Sequence, residues 1–176
     1  MSGWIFKLCG ALCVVSACYL WGEFKARSFT VHLQQLQQFR QAFNLLSAEI
    51  SYTGTPLPAA FKNISARIGG AVGNIFEEAA ERILAGGDVS AGEAWREAVS
   101  DTFPRLSISQ DDRRIIGQLG ASLGMVDREG QIKQIGLVLS LLEDALQDAH
   151  EKRQRNERMW RYLGLLGGLM LVIIFI

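Results

Sequence analysis

Three pairs of carboxylates invite a chemical reading: Asp111 with Asp112, Asp127 with Glu129, and Glu143 with Asp144. Neighbouring carboxylates can chelate a divalent ion or share a proton as a general acid/base dyad. The first two pairs fall at expected helix starts, where carboxylates cap backbone amides and complement the dipole, and the third falls on the outer face of a helix, so structural duty accounts for all of them. His32 and His150 are the only histidines, each near the end of an expected helix, and neither has a cysteine or histidine at a zinc-site spacing. Both read as solvated or interfacial side chains. No G-x-x-x-x-G-K-[ST] phosphate cradle occurs, and no serine has a histidine and carboxylate in a recognisable local pattern. The expected catalytic, metal and cofactor-binding residues are therefore none, and the sequence points away from an enzyme.

The rest of the chain says where such residues must sit. Its 176 residues leave room for one ordinary domain and a little more. The 18 basic and 18 acidic side chains balance, so nucleic acid is not an expected partner. The apolar residues crowd at the two ends. Leu8 to Trp21 carries no charge, and Ile5 to Phe24 would span about 30 Å as a helix, the thickness of a bilayer core. Leu163 to Ile176 is apolar or glycine throughout, behind a basic, aromatic collar, and Met159 to Ile176 would span about 27 Å if Arg161 snorkels. Residues 4–24 and 159–176 are accordingly expected to be transmembrane helices in the lipid bilayer, with 29–158 a cytoplasmic helical bundle between them. Lys25 and Arg27 follow the first span, and Lys152, Arg153, Arg155, Arg158 and Arg161 precede or open the second, which by the positive-inside rule puts the middle in the cytoplasm.

Within the spans, Cys9, Cys13 and Ala17 form a small-residue stripe, and Gly164 with Gly168 forms a G-x-x-x-G, both suited to packing against a neighbouring membrane helix. A competing reading takes Val15-Ser16-Ala17-Cys18 as the site of a lipid-modified cysteine in an exported lipoprotein or lipid-binding module; it would put both basic flanks on the wrong side of the membrane. The middle has no cysteine and needs no disulfide.

The middle reads as six helices. Leu33, Leu36, Phe39, Phe43, Leu46 and Ile50 step by three or four. "TGTPLP" ends this run, with Thr55 as an expected N-cap of a second helix carrying Phe61, Ile64 and Ile68. Gly69-Gly70 separates it from a third, whose buried side is expected to be Val72, Ile75, Phe76, Ala79, Ile83 and Leu84. Ser90 and Glu93 form a capping box before a fourth with Ala94, Trp95, Ala98 and Val99 inside. Ser109 to Asp112 suggests a weaker cap for a fifth, carrying Ile115, Ile116, Leu119 and Leu123 and ending at Gly124. Asp127 caps a sixth, where Ile132, Ile135, Leu139, Leu142, Leu146 and Ala149 give a 3.5-residue repeat that nothing breaks before the second span. One long helix, a rigid stalk, is expected from about Arg128 onward.

Taken in order, "LSAEISYTGTPLPAAF", "GEAWREAV", "LGMVDREGQIKQI" and "NERMWRYLGLLGGLMLVIIFI" resemble the stage III sporulation protein AB family over essentially the whole chain. The resemblance implies a mother-cell membrane protein around the forespore, part of the channel complex joining the two cells. Its soluble domain would be similar to that of the F-type platform proteins of type II secretion and type IV pilus machines. The implied partners are other channel proteins of the stage III sporulation A operon, notably the AA secretion-type ATPase. This chain departs from the larger platform proteins in having one six-helix domain and two spans, so homo-oligomerisation would complete a platform. Carried over onto matching positions, Glu49, Tyr52, Pro56, Pro58, Phe61, Trp95, Asp127 and Gln131 become the candidate partner-interface residues. Most are expected to be architectural, and Glu49 beside Tyr52 is the strongest candidate for contact.

Overall fold

A computed structural model describes residues 29–86, 89–124 and 127–175, with only the backbone described for 53, 156–158 and 160–175. The expected span 4–24, with Cys9, Cys13, Ala17 and Cys18, lies outside the described residues. Of 159–176, the helical backbone is described through Phe175, and the side-chain surroundings of Gly164 and Gly168 are not. Among the described residues, no helix is long and apolar enough to cross a membrane.

The described chain is all-α, without a strand. Helix α1 covers 29–48 and passes into a π-turn, Glu49–Thr53. There follow α2 (Leu57–Ile68), α3 (Gly70–Leu84), α4 (Ala91–Thr102), α5 (Gln110–Gln118) and α6 (Arg128–Phe175), with single 3-10 turns at Phe103–Arg105 and Leu119–Ala121. His32–Asp148 forms one compact unit, and the remaining described residues fall to a second.

Within His32–Asp148 the helices alternate up and down. Arg40 of α1 holds both carboxylate oxygens of Glu143 of α6 at 3.1 Å, while Arg128 at the start of α6 donates to the carbonyl of Ser51 past the end of α1, so the two helices run antiparallel. The Phe61 and Phe76 rings pair α2 with α3, Arg82–Glu97 and Thr102–Glu78 pair α3 with α4, and the Trp95 indole N–H to the Ile116 carbonyl pairs α4 with α5. The chain therefore enters at His32 and leaves at Asp148 on the same end of this unit, the near end. The far end carries the π-turn, the α3–α4 connection and the approach to α6.

Burial explains the arrangement. Leu33, Leu36, Phe39, Phe43 and Leu46 line α1's inner face, and Phe43, Phe61, Phe76 and Trp95 form an aromatic cluster in which Phe76 and Trp95 lie 5.0 Å apart, ring centre to ring centre, edge to face. Gly92 and Gly120 let α4 and the 3-10 turn after α5 meet backbone to backbone: a Cβ on Gly92 would lie 2.0 Å from the Gly120 oxygen.

Four local expectations are corrected. Pro56, with ψ at 139°, occupies the N-cap position of α2, and Thr55 donates its hydroxyl to Glu49 instead of capping. Leu84 is exposed, because it stands about 80° round α3 from Phe76. The α-helical part of α5 stops at Gln118, well before Gly124, because the glycine contact at Gly120 requires a tighter turn there. In α6 the buried stripe is Ile135, Val138, Leu142, Leu146 and Ala149, with Val138 taking the place of the half-buried Leu139 and Ile132 also only half-buried, because the inner face is rotated slightly from the expected one; the steps of three, four, four and three keep the expected average of 3.5 residues. The helix itself runs unbroken for 48 residues from Arg128.

Candidate partner-docking site

The π-turn is where the first and third sequence motifs meet. A π-turn takes more residues per turn than an α-helix, so side chains after Ile50 leave the buried stripe. Tyr52 is 88% exposed, and the turn closes on Gly54, whose φ of 60° is the left-handed conformation that glycine adopts without strain. Thr55 Oγ1 donates to Glu49 Oε2 at 2.8 Å, tying the turn to the loop that follows. Pro56 then sets the extended entry to α2, and Pro58, half-buried, sits in the first helical turn where its missing N–H has no partner to lose.

From the other side, Asp127 Oδ1 accepts the Gly130 N–H at 2.7 Å and the Asp127 carbonyl accepts from Gln131 N at 2.9 Å, which fixes the start of α6. Arg128 reaches across to the Ser51 carbonyl. Between the two motifs is a cleft of about 300 Å³ lined by Ile50, Gly54, Thr55, Leu57, Gly124, Arg128 and Gln131. Glu49, Tyr52, Pro56, Asp127 and Gln131 thus gather at the far end. Phe61 and Trp95 do not: both are fully buried in the aromatic cluster, where they hold the helices that carry the cleft.

The carboxylate pairs separate according to their surroundings. Asp111 is exposed beside Arg114, and Glu143 pairs with Arg40. Asp112 is buried, and its Oδ2 accepts from the Ser109 amide, the Ser109 hydroxyl and His32 Nε2, the last at 2.8 Å. Burial pushes this carboxyl up, but His32 and Ser109 outweigh it and leave it below its ordinary value. The Ser109–Asp112 cap is a full reciprocal box, as is Ser90–Glu93, where the Ser90 amide and hydroxyl lower the Glu93 carboxyl. Among the described residues, no three His, Cys, Asp or Glu side chains are placed to hold a metal.

Two clusters escaped sequence reasoning. His32–Asp112 joins residues 80 apart and leaves no local signal. Arg82 contacts Glu78, Glu97 and Asp101, each at 2.6 Å, and the guanidinium is held above its ordinary value first by Glu78, despite partial burial. Only the i,i+4 pair Glu78–Arg82 was visible in the sequence.

Fold and surface together define a small helical-bundle protein whose polar side chains serve caps, ion pairs and one end cleft. The family model described as stage III sporulation protein AB matches residues 7–176. Stage III sporulation protein AB of Bacillus subtilis (strain 168) is 34% identical over 170 residues, 97% of this chain and 99% of that one. A solved structure of stage III sporulation protein AB superposes with a TM-score of 0.67 at 30% identity, covering 71% of this chain and 98% of its own. The chain belongs to the stage III sporulation protein AB family, a family of sporulation proteins and not a known enzyme family.

Proposed function

We propose that this protein is a non-enzymatic membrane platform of the channel between mother cell and forespore, with its helical bundle in the mother-cell cytoplasm, where it anchors a secretion-type ATPase. The observation that carries this reading is the common end: the chain enters His32–Asp148 and leaves it on one side, so apolar segments before and after can enter a single membrane. The basic residues Lys25, Arg27, Lys152, Arg153 and Arg155 flank those segments on the inner side of each, as the positive-inside rule requires for a cytoplasmic bundle. Membership of a sporulation family supports the setting. The ATPase enters by analogy with secretion platforms.

The test is accessibility. In a version lacking native cysteines, Arg114→Cys on exposed α5 is treated in intact cells with a membrane-impermeant thiol reagent. Protection before lysis and labelling after it are expected. Labelling before lysis would reverse the topology and favour an exported lipoprotein acylated at Cys18.

A further inference from the structure

Charge is unevenly placed along His32–Asp148. At the far end Glu81, Glu93, Asp127 and Glu129 are exposed, while Arg96 and Arg128 are turned onto the carbonyls of Gly92 and Ser51. The near end is the reverse. There the carboxylates of α4 and α5 are matched, Asp101 by Arg82, Asp111 by Arg114 and Asp112 by His32. Arg67, in the last turn of α2, and Arg105, in the turn between α4 and α5, are exposed and make no hydrogen bond or ion pair among the described residues. Arg113 lies 4.7 Å over the Phe103 ring and donates to the Ser100 hydroxyl at 3.0 Å, so it too lacks a carboxylate. The Ser107 amide donates to Gln35 Oε1 at 2.7 Å and fastens this connection to α1 close to where the chain enters, with Phe103 and Leu106 half-buried beside exposed Pro104 and Arg105.

We propose that this near end is a seat for anionic phospholipid headgroups, in which Arg67 and Arg105 take lipid phosphates and Arg113 adds to the positive field. Guanidinium groups suit phosphate because their planar fork makes two-point contacts, and aromatic and aliphatic side chains such as Phe103 and Leu106 are at home among headgroups. The inference rests on the membrane-anchored reading, which brings a bilayer to this end because the apolar segments leave from it. Ten residues of α6, Ala149 to Arg158, separate Asp148 from the expected span; they rise about 15 Å, of which the headgroup layer takes about 5 to 7 Å. The remainder is about one Debye length at about 0.1 M salt, so an anionic surface acts on these charges, and the usual tilt of a membrane helix, about 20°, lets one side close the distance.

The experiment uses the full chain without native cysteines, with exposed Ser107→Cys carrying a bimane fluorophore. It is reconstituted in vesicles of phosphatidylcholine alone or mixed with phosphatidylglycerol, each containing a lipid with a nitroxide quencher on its headgroup. Leu84→Cys, 59% exposed at the far end, is the control. Quenching is expected at Ser107→Cys in the mixed vesicles only, and it should fade at about 1 M salt, where screening is complete within about 3 Å. Arg67→Gln with Arg105→Gln should lower the ratio of quenched to unquenched label about 25-fold, about fivefold for each charge, with an unchanged melting temperature. Lysine at both positions should keep most of the quenching. Release of the chain by an alkaline carbonate wash overturns the membrane-anchored reading and the seat with it. A chain that stays in the vesicles overturns the seat alone if its Ser107→Cys label is unquenched, equally quenched in phosphatidylcholine, or indifferent to loss of the two arginines.

Discussion

His32 and Asp112 meet at 2.8 Å, joining the near end of α1 to the start of α5 across 80 positions of sequence. The Asp112 carboxylate is also the N3 member of the α5 capping box, so one buried oxygen secures a helix start and a tertiary contact together.

Replacing Asp112 should therefore have a pH signature. Its folded-state value lies below the ordinary one, so its stabilisation is fully present above the unfolded value and is lost as pH falls through the folded value. Asp112→Asn should cost about 1 to 3 kcal/mol at neutral pH and lose less than the parent between neutral pH and pH values below about 4. Urea denaturation at pH 7 and pH 3 measures this; equal losses would show that the carboxylate is not the titrating group.

Gly92→Ala should be severe, because the new methyl carbon would lie 2.0 Å from the Gly120 oxygen, a backbone atom that can yield only if the α4 contact opens. We expect a loss of about 3 kcal/mol or more. Gly136→Ala, on an exposed turn of α6 with open space for a methyl, should be neutral or stabilising by up to about 1 kcal/mol. Melting temperatures of the two variants make the comparison, and similar values would refute the backbone contact.

Trp95 combines full burial with an indole N–H donated to the Ile116 carbonyl at 2.9 Å. Trp95→Ala should cost about 3 to 5 kcal/mol. Trp95→Phe keeps an aromatic ring and removes only the indole donor from a carbonyl that also accepts the Leu119 N–H, so a smaller loss of about 0.5 to 1.5 kcal/mol is expected for the missing bond. A normal melting temperature with lost assembly would instead make Trp95 a contact residue.

The unbroken α6 predicts a mechanical phenotype. Two glycines inserted after Lys152 should lower spore yield while leaving the melting temperature of the bundle nearly unchanged, since the insertion lies beyond His32–Asp148. Full spore yield would show that a stiff connection is unnecessary.

Periodicity and punctuation made the helices legible in the sequence: the α1 stripe, the Ser90–Glu93 box and the Asp127 cap all rest on neighbours within one or two turns. What stayed hidden depends on distant partners. Nothing local tells that Gly92 will face Gly120, because that outcome is set by where the next helix crosses, whereas the exposure of Leu84 was legible in its angle round α3, half a turn from the buried Ile75. The candidate residues carried by motif were mixed in the same way: Tyr52 and Gln131 reached a common end, whereas Phe61 and Trp95 went to the core because their size demands burial.

The up-and-down order of the helices has an evolutionary consequence that turns on parity. With six helices among the described residues, an even number, the first strokes away from the entry side and the last returns to it. Loss or gain of a single helix would send one flank out of the opposite face and separate the two ends by the height of the bundle. Lineages of this architecture should therefore lengthen or shorten it by helical hairpins, two helices at a time, or leave its count alone.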